Sequence, residues 1–442
     1  MGSVSMASMN CLPDELLVQI LSFLPTKKAA STSVLAKRWR TLFAVRQNLD
    51  FDDSDFLNPE EVGEDDMDEI KESFRNFVGR TLSLQGAQRI NKLSLKCGEV
   101  PGEDHVDGWI INALDRGVSE LKLCLTDEIR TFLPSNLFIN KTLVNLTLGK
   151  KLAINNIPYD TFLPVLKILF LRSVWFLGRE LSDVLLAGCP ALEDLTIHHK
   201  HFSGTPQVIC SKTIKRLSII SKSAEDVNLF SFVSLDAPNL VNLFYVDYAR
   251  PRYLRWNLDS LVKATLDLHF LEHEECDEPF EPNVTVLMNG VRNVKMLQLT
   301  FSATEVISEC CKCGLPMFKN LLDLVFFGNK ERVWKELLPL MLEHSPSLKC
   351  LILSGLNCCT YEQEFDGIRI PQTNKVNFLG IMCYEGTENE LKHVSHFLLK
   401  MERLQGLQVQ FPTTMVESKR VQLTEDLLKL PRASSTLTMQ AV

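Results

Sequence analysis

The chain has 442 residues, 45% hydrophobic and 23% charged, with 20 Gly and 19 Pro, which suffices for a sizeable core. Collagen-like, disordered and disulfide-miniprotein classes are excluded. Its net charge of −8 gives no overall basic footprint for nucleic acid or an anionic membrane, so neither is expected as a partner, although a local patch is compatible with it.

Residues 1–10 are expected to be a flexible tail. The first eleven residues lack the charged start and continuous apolar stretch of a secretory signal, so no export is expected. In LPDELLVQILSFLP (12–25), Leu16, Leu17, Ile20, Leu21 and Leu24 fall on one helical stripe, with Pro13 in the first turn and Pro25 as a stop. Asp14 and Glu15 complement the positive end of the helix dipole. STSVLAKRWRTLFAV (31–45) predicts a second helix with Val34, Leu35, Trp39 and Leu42 on a common side. A unit this small rarely stabilises itself, and it carries at least nine large apolar side chains, so some of them should meet another protein.

Residues 50–72 hold twelve acids against one Lys and read as a solvated connector; 72–82 returns to helical periodicity and is expected to cap the repeats beyond it. From residue 83 a phrase, apolar-x-x-apolar-x-apolar, recurs. Its first anchors are Ile90, Val118, Leu143, Leu166, Leu192, Ile214, Leu240, Leu261, Val294, Leu321, Leu348, Val376 and Leu404, spaced by 21 to 33 residues. The last two apolar positions alternate with a residue of the opposite face, as in a short strand with one buried side. Each unit is too small to bury its own apolar face, so the units should stack into a curved parallel sheet with helices or turns outside, an α/β solenoid. An ordinary α/β fold with irregular strand spacing is the plain alternative.

The apolar run 161–178 is cut by Pro164, Lys167 and Arg172 and reads as core rather than a membrane span. The 33-residue gap houses an acidic insertion (269–284) that reads as a surface loop. Residues flanking the inward strand positions would line the concave face: Phe170, Arg172, Phe244, Val325, Phe327 and Ile352 are the candidate target-binding residues, with Ile220, Val246, Phe378 and Met382 nearby. Such flanks can equally be covered by loops. Lys92, Lys96 and Lys122 are interspersed with Glu120, Asp194 and Asp267, which argues against a polyphosphate pocket.

Thirteen Cys, odd in number and mostly set singly beside apolar residues, read as reduced thiols, so the nucleus and/or cytoplasm is expected and the sequons at Asn140, Asn145 and Asn283 should stay unmodified. Cys310, Cys311 and Cys313, with His269, His273 and Cys276, match no common zinc spacing, and His198, His199 and His201 read as a solvated turn. No nucleotide-binding or hydrolase motif occurs; no metal, cofactor or catalytic residue is expected.

LPDELLVQILSFLPTKKAASTSVLAKRWRTLF resembles the F-box, from the Leu12-Pro13 start to the Arg38-Trp39-Arg40 end, over residues 11–49. The phrase LDFDDS (49–54), and LLAGCPALEDLTI (185–197) within the repeats (83–370), are similar to the plant F-box/leucine-rich-repeat group. Residues 371–430 resemble the FBD domain, with Ile370-Pro371 where its Pro-Glu-Cys-Leu lead-in usually stands; 431–442 would be a tail. The resemblance implies docking on the Skp-type adaptor of a cullin-RING ubiquitin ligase through Leu12, Pro13, Leu16, Ile20, Leu24, Val34, Leu35 and Trp39. Ala36, and the Lys27-Lys28 pair, depart from the usual pattern and are expected to tune affinity. The implied function is non-catalytic recognition of a target protein for ubiquitination; a scaffold that binds the adaptor without cullin is the alternative.

Overall fold

A computed structural model of the chain describes residues 12–34, 36–56, 66–97, 103–125, 133–154, 157–176, 179–199, 208–221, 232–270, 282–311, 314–359 and 367–442, and the chain divides into two compact units, 1–202 and 203–442.

The first unit opens with three short helices, α1 (Asp14–Ser22), α2 (Thr26–Thr32) and α3 (Lys37–Ala44). The single helix expected over 31–45 is broken. The hydroxyls of Ser31, Thr32 and Ser33 donate to the carbonyls of Lys28, Ala29 and Ala30 at 2.7, 2.6 and 2.5 Å, closing the end of α2, and Ala36 is extended at φ −161° before α3 begins.

Six parallel strands come next: β1 (Asn48–Asp52), β2 (Lys92–Cys97), β3 (Glu120–Leu125), β4 (Asn145–Ile154), β5 (Ile168–Phe176) and β6 (Asp194–His199), paired in chain order. Helix α4 (Asp66–Gln85) precedes β2 and is longer than the 72–82 expected; α5 (Glu103–Asp115) returns the chain from β2 to β3.

The second unit has nine strands in its main parallel sheet: β8 (Arg216–Ser221), β10 (Asn242–Tyr248), β12 (Lys263–His269), β13 (Met296–Leu299), β14 (Asp323–Phe327), β15 (Cys350–Ser354), β16 (Phe378–Met382), β17 (Gly406–Val409) and β18 (Thr438–Ala441). A small second sheet forms from β7 (Val208–Cys210), β9 (Phe232–Asp236) and β11 (Arg252–Asn257). Later returns contain α6 (Thr285–Gly290), α7 (Phe301–Cys310), α8 (Leu338–Glu343), α9 (Glu388–Lys400) and α10 (Glu417–Leu428). Most of the acidic insertion, 271–281, lies outside the described residues.

One rule holds in both units. Each of the thirteen anchors is at most 2% exposed, and a strand of the main sheets begins two residues after each of them, from Lys92 after Ile90 to Gly406 after Leu404. The rung is also locked by a forked hydrogen bond: the carbonyl just before one strand accepts two amides from the next repeat. Asn91 O takes the amides of Ser119 (3.0 Å) and Glu120 (2.9 Å), and Lys349 O those of Asn377 (2.9 Å) and Phe378 (3.1 Å). Burying the anchor thus sets the register, since a one-residue slip would turn every core side chain outward. Each unit is a stack of leucine-rich repeats.

Two strands of the main sheets lie outside the predicted frame: β1, across the expected boundary of F-box and connector, and β18, within the expected tail. At the anchor position of β1 stands Arg46, 2% exposed, whose Nη2 donates to the Leu24 carbonyl (2.5 Å) while its own carbonyl accepts from Gln85 Nε2 (2.8 Å). Burial lowers the Arg46 pKa, with the Asp50 charge acting the other way. The side chain therefore ties the end of α1 to the start of the sheet. Arg46→Ala is expected to cost about 2 kcal/mol in urea unfolding, because it strands a buried carbonyl and removes an apolar stem. Arg46→Met, which keeps the stem, is expected to lose less than half of that.

Helix α9 begins with a capping box: Thr387 Oγ1 accepts from Glu390 N (3.2 Å) and the Glu390 carboxylate accepts from Thr387 N (2.9 Å). On its buried face His393 Nε2 donates to the Cys359 carbonyl (3.2 Å) and His396 Nε2 to that of Ile368 (3.0 Å). Burial holds His393 below its usual 6.5, with His396 adding in the same direction. Folding therefore disfavours its protonation. Stability is complete above the unfolded value and is lost as pH falls below it, because the unfolded chain binds the proton more readily. The melting temperature is expected to fall from pH 7.5 to 5.5, and His393→Gln should flatten that slope.

Candidate functional site

Helix α1 carries two apolar stripes, not one. Leu17 and Leu21 are fully buried and form a core with Ala29, Trp39, Leu42 and Phe43, against which Leu12, Val18, Ile20, Leu24, Ala30 and Ala36 are partly packed. One residue round the helix, Leu16 is 45% exposed and Phe23, just past its end, is 86% exposed; Ile20 lies between them in sequence at helical spacing and is half-buried. Pro13 is also exposed, and Val34, in the α2–α3 turn, is 85% exposed.

The Arg38 guanidinium fixes how α3 meets α1, with bonds to Asp14 Oδ1 (2.6 and 2.8 Å) and the Leu12 carbonyl (2.6 Å). The unit is tied to the sheet by Asp50 N donating to Thr26 Oγ1 (2.7 Å) and by Lys27, which donates to Asp55 O (2.7 Å) and sits 3.8 Å from the centre of the Phe56 ring.

Of the residues expected to dock an adaptor, Pro13, Leu16 and Val34 thus face outward, while Leu12, Ile20 and Leu24 are half-buried. Trp39 lies in the core of the three helices, 7% exposed, where it holds them together; Leu35 lies outside the described residues. Phe23 went unrecognised in the sequence because it lies beyond the last helical turn, yet it continues the Leu16–Ile20 spacing.

The six candidate target-binding residues fall in two groups. Phe170 and Arg172 are neighbours on the open face of β5 in the first unit, where Arg172 pairs with Gly149 across β4. In the second unit Val325 pairs with Ile352, which pairs with Gly380, and Phe327 lies one pleat further along β14 with its ring 5.2 Å from that of Phe301. Phe244, 41% exposed, is in the same row three strands away, through Thr265 and Gln298. Val246 differs from expectation: it is 3% exposed.

Two basic residues of the first repeats are paired, Lys92 with Glu120 (2.5 Å) and Lys96 with Asp52 (2.6 Å), and the hydrogen bond to Asp52 raises the Lys96 pKa. Among the described residues no group of three His, Cys, Asp or Glu could hold a metal ion, and no helix is long and apolar enough to cross a membrane. Cys276, Cys313, His201 and His273 lie outside the described residues.

Comparison with known proteins gives this geometry its family. The F-box domain matches residues 9–49, and the leucine-rich repeats of the FBD-associated F-box protein At5g56370 match residues 106–305. Over its whole length the chain is 63% identical to the whole of the Arabidopsis thaliana F-box/LRR-repeat protein At3g44810. It is 49% identical to F-box/LRR-repeat protein At3g42770 of the same plant, over 98% of this chain and 80% of that one. It is 40% identical to F-box/LRR-repeat protein At3g60040, over 95% and 93% of the two chains. With its helical head, its thirteen buried anchors and these relatives, the chain belongs to the F-box/leucine-rich-repeat family.

Proposed function

We propose that the chain is the substrate-recognition subunit of an SCF-type ubiquitin ligase. It holds a Skp-type adaptor by its first three helices and a target protein by its repeats, in the nucleus and/or cytoplasm. The observation that carries the reading is the split of α1. Leu17 and Leu21 complete the core of the three helices, so Leu16 and Phe23 serve no purpose in folding and remain as an apolar surface for another protein.

The chain itself needs no reacting group in this scheme. Tethering raises the effective concentration of target lysines near the charged ubiquitin carrier. On the repeats, Val325, Ile352 and Phe327 offer an apolar strip suited to a protein surface.

The test is tagged expression of the full chain in plant cells. Recovery of both the adaptor and a cullin is expected. Recovery of the adaptor without cullin would support the scaffold alternative, and recovery of neither would overturn the adaptor assignment.

A further inference from the structure

The chain is acidic overall, yet one edge of its second unit is not. Lys319, Lys349, Lys375 and Arg403 are exposed and stand in the segments that lead into strands β14 to β17, and exposed Lys400 ends helix α9 just before the last of these segments. None of their side chains makes an ion pair or hydrogen bond with another described residue. Other cations of the same unit are neutralised: Lys330 by Glu305, Lys335 by Glu331, Lys392 by Glu388 (2.6 Å) and Arg369 by Glu343 (2.7 Å).

The repeat brings the unpaired ones together. Asn377 N bonds Lys349 O and Gln405 N bonds Asn377 O, at 2.9 and 2.8 Å, so these three positions share one rung. Lys375 and Arg403 each precede that rung by two residues, in the segments entering the adjacent strands β16 and β17, and both line one cleft. Two clefts meet there. One of about 810 Å³ is lined by Arg369, Lys400, Glu402 and Arg403; the other, about 460 Å³, by Lys349, Lys375, Glu402 and Arg403. Like charges set side by side and left unpaired oppose folding, so their return lies in what they attract.

We propose that this strand-entry edge docks an extended acidic segment of a partner protein. Three features select that occupant. The cations are strung over four strands, about 14 Å, which an extended chain covers in four or five residues, instead of converging on one point. Glu402 sits inside both clefts and would repel a compact polyanion while fitting between spaced carboxylates. Asn377, Gln405, Ser434 and Thr436 add neutral donors and acceptors suited to a peptide backbone. The proposal extends the target-binding half of the proposed function and is independent of the adaptor half.

The test uses the purified full chain and a fluorescein-labelled dodecapeptide alternating Glu and Ser, read by anisotropy. Saturable binding that weakens with salt is expected, at least tenfold weaker for Lys375→Glu with Arg403→Glu. The milder pair Lys375→Gln with Arg403→Gln should show an intermediate loss, and Lys141→Glu, in the first unit, should leave binding within twofold. Melting curves should be unchanged, since both altered side chains are solvent-exposed. Absence of saturable binding, or equal binding by both double variants, overturns the proposal. So does preferential binding of inorganic tripolyphosphate abolished by the same substitutions, which would make the edge a site for compact anions. Adaptor capture, measured on the same preparations, should be unaffected, so a failure here and a failure of the F-box reading are told apart.

Discussion

Replacing Leu16 and Phe23 together by aspartate is expected to weaken adaptor binding by about three orders of magnitude, because burying each apolar side chain contributes roughly 2 kcal/mol and tenfold in affinity is about 1.4 kcal/mol. Thermal unfolding should change little, since the two side chains are 45% and 86% exposed in the free chain. The combination of lost capture and kept stability separates a docking surface from a folding one. Immunoprecipitation of the adaptor with wild type and double variant, alongside differential scanning calorimetry, reads both. Undiminished capture would sink the docking role of α1.

Trp39→Ala should behave in the opposite way. The indole is 7% exposed in a core of six residues, and truncating a buried aromatic costs about 3–5 kcal/mol. A three-helix head of this size has little stability in reserve, so it is expected to unfold locally. Hydrogen exchange over residues 12–45 should rise sharply while amides in β14 and β15 stay protected. Adaptor capture would fall too, but through loss of the helices that present Leu16. A variant that kept protection and lost capture would return Trp39 to the docking surface.

The repeats were legible in the sequence because each anchor is a large aliphatic residue that cannot be left in water, and its burial dictates where the strand starts. Where the anchor position is filled otherwise, periodicity is silent. Arg46 stands there for β1 and Thr436 for β18, and both strands were missed. The small sheet of β7, β9 and β11 escaped because its strands lie inside the returns, off the main period. In the head, Leu16, Leu17, Ile20, Leu21 and Leu24 read as one stripe in the sequence but divide between two surfaces in the fold. Hydropathy alone does not say which half the chain's own core takes; the packing of Leu17 and Leu21 against Trp39 decides it. The basic edge is invisible in linear form, since Lys349, Lys375 and Arg403 are 26 and 28 residues apart and become neighbours only through stacking.

The anchor rule has an engineering corollary. Because register depends on the buried aliphatic and its forked carbonyl, the chain between two rungs is free in length: 21 residues separate Leu240 from Leu261, and 33 separate Leu261 from Val294. Closing the longer loop costs only about 0.4 kcal/mol more in chain entropy. A lineage with this architecture can therefore acquire or shed recognition loops almost at will, and a reporter grafted between the end of β12 and the start of α6 should leave the scaffold's melting point nearly untouched.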